Sequence, residues 1–284
     1  MLHGSPSRTS RFSWWTKVAT DEQPPRVGGV RIESHEVCSP LVHPHHDGVR
    51  LAHLSDLHLF ADVRPRRLLR MVELVNARNP DFALLTGDYV NATVRALPRL
   101  TDALSRLEVP TWAVLGNHDH WANAGRVETA LRDSGVRVLR NAHQTLPMRG
   151  APLHLIGVDD HRSGHADAQA AFEGLPAHGT RLVFTHDPNA TDALHGRGAA
   201  LVLAGHTHGG QIRLPRLTER IARRIGVKYL AGFFPVGDGW LYVNRGLGAA
   251  LPLRVAAPME IAFITLRASR PLPSTAAEPR RLSA

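Results

Sequence analysis

Five short apolar runs in this sequence each lead into side chains that can bind a metal ion. Asp56 and His58 come just after VRLAHL, and Asp88 follows FALLTG. Asn117, His118 and Asp119 follow TWAVLG, His186 follows LVFT, and His206 and His208 follow ALVLAG. Taken singly, an Asp after a strand caps a helix or closes a turn, and a lone His is a hydrogen-bonded core or surface residue. Five such runs in succession, each ending in Asp, Asn or His, exceed what those ordinary roles explain. Carboxylate and amide oxygens mixed with imidazoles suit Mn, Fe or Zn rather than Ca or a soft-metal centre. Two such ions about 3.5–4 Å apart, held by one bridging carboxylate, would clamp phosphate oxygens and turn a shared water into hydroxide near neutral pH.

The elements that must position these groups alternate along the chain. Strands are expected at 26–37, 49–54, 82–85, 111–115, 136–139, 144–148, 153–158, 182–184, 200–203, 240–243 and 260–266, and helices at 65–76, 97–107 and 126–134. The βαβαβα order of the first half implies parallel strands with helical crossovers. Open α/β sheets present ligand sites at the carboxyl ends of their strands, so the five runs would aim into one crevice. The second half is richer in strands and turns. The predicted fold is therefore α/β, a four-layer αββα sandwich of two mixed sheets with outer helices. Residues 27–268 form the domain, between an N-terminal tail (1–26) and a C-terminal tail (269–284), both rich in Pro, Ser, Arg and Ala.

Composition narrows the classes. Across 284 residues, 43% are hydrophobic and 21% charged, which excludes a wholly disordered, collagen-like or coiled-coil chain. The single cysteine, Cys38, excludes an internal disulfide and a cysteine-rich zinc framework. Histidine is unusually frequent at 18, and the formal charge of +9 makes anionic partners plausible. No run approaches the roughly 20 apolar residues of a spanning helix, and the first residues lack the apolar stretch of a secretory signal. The expected location is cytoplasmic, or peripheral on the inner face of a membrane.

Weaker signals lie outside the main set. Leu217, Ile221 and Ile225 share one face of a basic amphipathic helix within Arg213–Lys228, which suits contact with an anionic membrane or a substrate's second phosphate. Arg213 and Arg220 are candidate substrate contacts, and so is Asp160, which with Asp159 and His161 ends the run LHLIGV. Phe233, Phe234 and the stretch Leu247–Leu253 are expected either to line an acyl-chain groove or to fill the core. His43, His45 and His46, beside Pro44 and Gly48, read as a surface turn.

The motif order over Asp56–His208 resembles the calcineurin-like metallophosphoesterase superfamily. GHTHGGQIRL at 205–214 and NRGLG at 244–248 resemble a bacterial branch of membrane-associated phosphodiesterases and UDP-2,3-diacylglucosamine diphosphatase-like enzymes. The resemblance implies a first metal held by Asp56, His58, Asp88 and His208. It implies a second held by Asp88, Asn117, His186 and His206, with Asp88 bridging. It makes His118 the residue that faces the phosphate and assists the leaving oxygen, with Asp119 orienting it. Two divalent ions follow, Mn favoured over Fe or Zn. The implied reaction is attack of metal-bridged hydroxide on a phosphodiester or pyrophosphate bond, in a lipid- or nucleotide-linked substrate, by a protein acting as a monomer. Members of this branch often begin with a membrane helix or export signal, which this sequence does not display. A phosphomonoesterase acting on proteins or small molecules, a nucleic-acid phosphodiesterase and a non-catalytic metal-bound module remain as alternatives. The arginines do not interleave with aromatics as a single-strand groove requires.

Overall fold

The computed structural model describes residues 18–20, 26–27, 29–61, 65–212, 214, 217–224, 226–249 and 253–269. Strands β1 (Val18–Thr20), β2 (Arg26–Val27), β3 (Val30–Ser39) and β4 (Arg50–Leu54) precede helix α1 (Pro65–Asn76). Then come β5 (Phe82–Leu85), α2 (Leu97–Leu104), β6 (Thr111–Ala113), α3 (Asn117–Asp133) and β7 (Arg137–Val138). The second half holds β8 (Ala142–Met148), β9 (Ala151–Gly157), α4 (Ala168–Phe172), β10 (Thr180–Phe184) and β11 (Leu201–Ala204). It ends with α5 (Leu217–Arg224), β12 (Gly232–Val236), β13 (Gly239–Val243) and β14 (Glu260–Ala268).

Two mixed sheets result. The first runs β1-β3-β14-β4-β5-β6-β7, with β2 also on β3; the second runs β12-β13-β11-β10-β9-β8. In the first, β4, β5, β6 and β7 are mutually parallel; in the second, β9, β10, β11 and β13 are. Side-chain alternation explains the layers. Phe82 and Leu84 of β5 point into the core shared with Leu155, Leu182 and Leu203 of the second sheet. Ala83 and Leu85 point the other way, against Leu68, Val72, Leu100 and Leu131 of α1, α2 and α3. Buried on both faces, such strands read as unbroken apolar runs. Helix α1 shows the complementary period: Leu68, Met71, Val72 and Val75 are buried, and each contributes about 1.5–3 kcal/mol. The outer face of the second sheet packs Ile156, Val183 and Val202 against Ala171 of α4 and Leu194 of a 3-10 turn. The expected αββα order is the order observed.

Several boundaries differ from expectation. The opening strand is a hairpin, because Gly29 takes φ +83° between β2 and β3. Val18–Thr20, inside the expected tail, pairs antiparallel with β3; apart from Arg26 and Ser269, the rest of both expected tails lies outside the described residues. The helix expected at 126–134 begins at Asn117, with extended backbone at Asn123 (φ 167°). Its first turn is the Asn-His-Asp motif itself. β12 lies outside the expected strands, and it removes Phe233 and Phe234 from any groove: Phe233 packs tilted against Tyr242 at 4.5 Å and Phe234 edge-on against Tyr229 at 5.1 Å. His46 is no surface residue either, since it is fully buried with Nδ1 2.7 Å from Thr180 Oγ1.

Candidate metal centre

All five runs converge at the strand ends where the sheets meet. Asp56 and His58 follow β4, Asp88 follows β5, Asn117 opens α3 after β6, His186 follows β10, and His206 and His208 follow β11. Asp56, His58, Asp88, Asn117 and His186 are buried to within 3% exposure. The backbone is bent to bring them together: Asp56, His58, Asp88, His206 and His208 all have positive φ, between 42° and 69°. That conformation costs a non-glycine residue on the order of 1–3 kcal/mol, and it persists only where surroundings enforce it. Close approach also dictates glycine behind the site. A Cβ on Gly116 would lie 2.2 Å from Asp88 Oδ1, and one on Gly246 would lie 2.5 Å from Asp56 Cβ.

Two groups of donor atoms form. Asp56, His58, Asp88 and His208 place one ligand atom each within 4.8 Å of one another, and Asp88, His186 and His206 do the same. Asp88 belongs to both. Its Oδ2 lies 3.3 Å from His58 Nε2 and 3.2 Å from His186 Nε2. His208 Nε2 lies 3.1 Å from Asp56 Oδ1 and 2.9 Å from His58 Nε2. His206 Nδ1 lies 3.2 Å from His186 Nε2.

The second ring nitrogen of three histidines is already committed, which fixes the tautomer and turns a lone pair inward. His58 Nδ1–H donates to Asn91 Oδ1 (3.2 Å), His186 Nδ1–H to the Thr86 carbonyl (2.7 Å), and His208 Nδ1–H to Gln211 Oε1 (3.0 Å). Facing imidazole lone pairs and clustered carboxylates are unfavourable unless a cation lies between them. Asn117 Oδ1 points the same way: it is buried with no hydrogen-bond partner. The residues present therefore fit two divalent ions.

The electrostatics agree. Burial would push Asp56 up, yet His208, His58 and His186 hold it well below the usual carboxylate range. Burial would push His186 down, yet Asp88 and Asp56 hold it well above its ordinary value. The carboxylates thus demand positive charge at the centre. Burial and the neighbouring His186 charge lower His206 to about 4, so it stays a neutral ligand at pH 7.

His118 sits at the rim, half-buried, its ring 4.7 Å from that of His58 and 5.0 Å from that of the exposed Trp121. The Asn91 carbonyl accepts from His118 Nδ1–H, which leaves Nε2 for a substrate. This corrects the expected role of Asp119, which does not touch the His118 ring. Its Oδ2 accepts from Asp88 N (2.8 Å) and Gly116 N (2.9 Å), and its Oδ1 from Tyr89 N (2.9 Å) and Val90 N (3.2 Å). Asp119 thus clamps the loop that carries Asp88 onto the start of α3. Sequence reasoning missed Asn91, Thr86 and Gln211, whose types give no metal signal.

The candidate substrate contacts are more scattered. Asp160 is fully buried; its Oδ2 accepts from Ser163 N (2.6 Å), while Oδ1 is unpartnered. Arg220 is exposed on α5, outside both donor groups, and Arg213 lies outside the described residues.

Residues 49–210 match the family of calcineurin-like phosphoesterases. The uncharacterized metallophosphoesterase YkuE of Bacillus subtilis is 31% identical, over 84% of this chain and 86% of the relative. The phosphodiesterase YaeI of Escherichia coli is 30% identical, over 76% and 82%. UDP-2,3-diacylglucosamine pyrophosphatase LpxG of Chlamydia trachomatis is 25% identical, over 78% and 84%.

Proposed function

We propose that this chain, which belongs to the calcineurin-like phosphoesterase family and is a hydrolase of phosphoric ester bonds, cuts a phosphodiester or pyrophosphate bond at two divalent metal ions. The observation that carries the reading is Asp88, one carboxylate shared by two donor groups, beside the orphaned Asn117 Oδ1. Asp56, His58, Asp88 and His208 would hold one ion; Asp88, Asn117, His186 and His206 would hold the other. When bound, such ions supply Lewis acidity toward phosphoryl oxygens and lower the pKa of a water. Carboxylate, amide and imidazole donors together suit Mn, Fe or Zn, and Mn is the metal favoured in this reading.

The chain's own residues do the rest. His118, fixed through Nδ1 by the Asn91 carbonyl, offers Nε2 at the rim, where it holds or delivers a proton at the leaving oxygen. Asn91 orients His58 and His118 together, one through its side chain and one through its backbone. Asp119 keeps Asp88 in register with Asn117.

The finer reading is a lipid- or nucleotide-linked substrate, supported by what LpxG is named for. Helix α5 supports peripheral contact with an anionic membrane: Leu217 and Ile221 are about half exposed beside the exposed Arg220, Arg223 and Arg224. No helix among the described residues is long and apolar enough to cross a membrane.

The test is hydrolysis by metal-stripped protein with Mn²⁺ restored, comparing bis-p-nitrophenyl phosphate with p-nitrophenyl phosphate. The expected result is Mn²⁺-dependent turnover that favours the diester and is lost in Asp88→Ala. A monoester preference would replace the diester reading with a phosphatase; metal-independent turnover would refute the two-ion site.

A further inference from the structure

Three rings lead in a row from the metal centre to solvent. The imidazoles of His58 and His118 lie 4.7 Å apart, and the Trp121 indole follows 5.0 Å beyond His118, tilted by 53°. His58 is buried and His118 half-buried, while Trp121 is 63% exposed, more than any other large apolar side chain among the described residues. Local sequence sets this row. Residues 117–122 form a short helical segment of their own, because Asn123 interrupts α3 with extended backbone and its Oδ1 accepts from Arg126 N (3.0 Å) at the start of the second segment. Within the first segment His118 and Trp121 are three residues apart and share a face. The adjoining face is turned inward: Asp119 is buried on the Asp88 loop, and Ala122 packs against the core beneath α1, α2 and α3. A single exposed apolar residue is ordinary. Tryptophan, however, is highly buried on average, and this one stands directly beyond the imidazole assigned to the leaving oxygen.

Resting on the phosphoesterase reading, we infer that Trp121 is a specificity residue: its indole face stacks a planar ring on the leaving half of the substrate, which is therefore a nucleobase-bearing phosphate ester or pyrophosphate. His118 Nε2 serves the leaving oxygen, so the group attached to that oxygen lies beside His118, and the next side chain outward along the row is Trp121. One indole offers one flat face. A planar base covers that face, whereas a flexible alkyl chain crosses it along a line and leaves most of both surfaces in water. Aromatic side chains stack every base, since each base has a π-face, and the preferred arrangement is offset.

Base–aromatic stacking strengthens binding about tenfold. Isothermal titration of Mn²⁺-loaded full-length protein with adenosine monophosphate, ribose phosphate and octyl phosphate reads that factor. All three present one phosphate to the metal centre and differ in what extends from it. Wild type is expected to bind adenosine monophosphate about tenfold more tightly than ribose phosphate. Trp121→Ala is expected to bring that ratio near one while leaving the affinities for ribose phosphate and octyl phosphate unchanged, and Trp121→Tyr is expected to keep most of it. The unchanged ribose phosphate affinity also shows that the variant remains folded around its metal site. A ratio near one in wild type, or an undiminished ratio in Trp121→Ala, would overturn the stacking platform while leaving the metal site intact. Octyl phosphate losing as much affinity as adenosine monophosphate in Trp121→Ala would overturn the selection of a planar ring. Failure of all three to bind Mn²⁺-loaded wild type would instead overturn the phosphate-at-metal reading, and this inference with it.

Discussion

Glu260 belongs to neither donor group, yet its loss is expected to be costly. Its side chain is fully buried and accepts the Tyr242 hydroxyl (2.9 Å) and the Arg245 amide (2.9 Å) on Oε1, and the Arg245 guanidinium on Oε2. Arg245 begins the turn that sets Gly246 directly behind Asp56. In Glu260→Gln the amide oxygen keeps the two Oε1 bonds, while an NH₂ group faces the guanidinium, donor against donor. Stranding one member of a buried ion pair costs about 3–5 kcal/mol. Here Glu33, 3.7 Å from Arg245 Nη1, offsets part, which places the expected loss near the lower figure, about 3 kcal/mol. Urea denaturation of the Mn²⁺-loaded protein measures it. In the double variant with Arg245→Met the stranded charge is gone, so a coupling energy of about 2 kcal/mol is expected. A single-variant loss below about 1 kcal/mol with no coupling would refute the view that this pair braces the Asp56 backing.

Asn91→Ala removes the acceptor for His58 Nδ1–H but keeps the carbonyl that holds His118; Mn²⁺ affinity is expected to fall about 10–100-fold, and an unchanged titration would contradict the orienting role. Asp119→Asn sets an NH₂ group against two of four buried backbone donors, at about 1–3 kcal/mol each, and is expected to weaken Mn²⁺ binding and lower the denaturation midpoint together; normal metal binding with altered turnover alone would restore the expectation that it serves His118. His35 is lowered to about 4 by burial and by the charges of Arg245 and Arg31, so its imidazole is neutral when folded and protonates in the unfolded chain below about 6.5. The unfolded state therefore binds more protons between those values, and stability falls as pH drops through that window, by about 2 kcal/mol from pH 7 to pH 5 for this residue. His35→Gln is expected to flatten the decline by that amount, and an identical decline in the variant would refute the assignment.

The fold and the convergence of the candidate ligands were legible in the sequence for one reason. Strands buried on both faces appear as bare apolar runs, and each run here ends abruptly in a residue able to ligate a metal. Phe82–Leu85 followed by Asp88 shows both signals within seven residues. What escaped was tertiary. The first turn of α3 reads as a loop, because Asn117 to Asp119 look like turn residues until Asp119 is seen capping Gly116. β12 escaped because Pro235 and two glycines mask its pattern, although Phe233 packs against Tyr242 in the inter-sheet core. The role of Asp119 was misread because adjacency to His118 in sequence is not contact: on the opening turn of a helix the two side chains leave in different directions. Asn91 and Gln211 act only by orienting His58 and His208, and an amide side chain gives no sign in the sequence of which histidine it will hold.

The account rests on Asp88 joining two ions, and metal stoichiometry tests that most directly. Metal-stripped wild type and Asp88→Ala should be titrated with Mn²⁺, counting bound ions by elemental analysis and following their magnetic coupling by electron paramagnetic resonance. The expected result is two ions per chain in wild type, with a coupled signal, and loss of that coupling in the variant. One ion or none in wild type, or a coupled pair that survives Asp88→Ala, would contradict the shared-carboxylate centre.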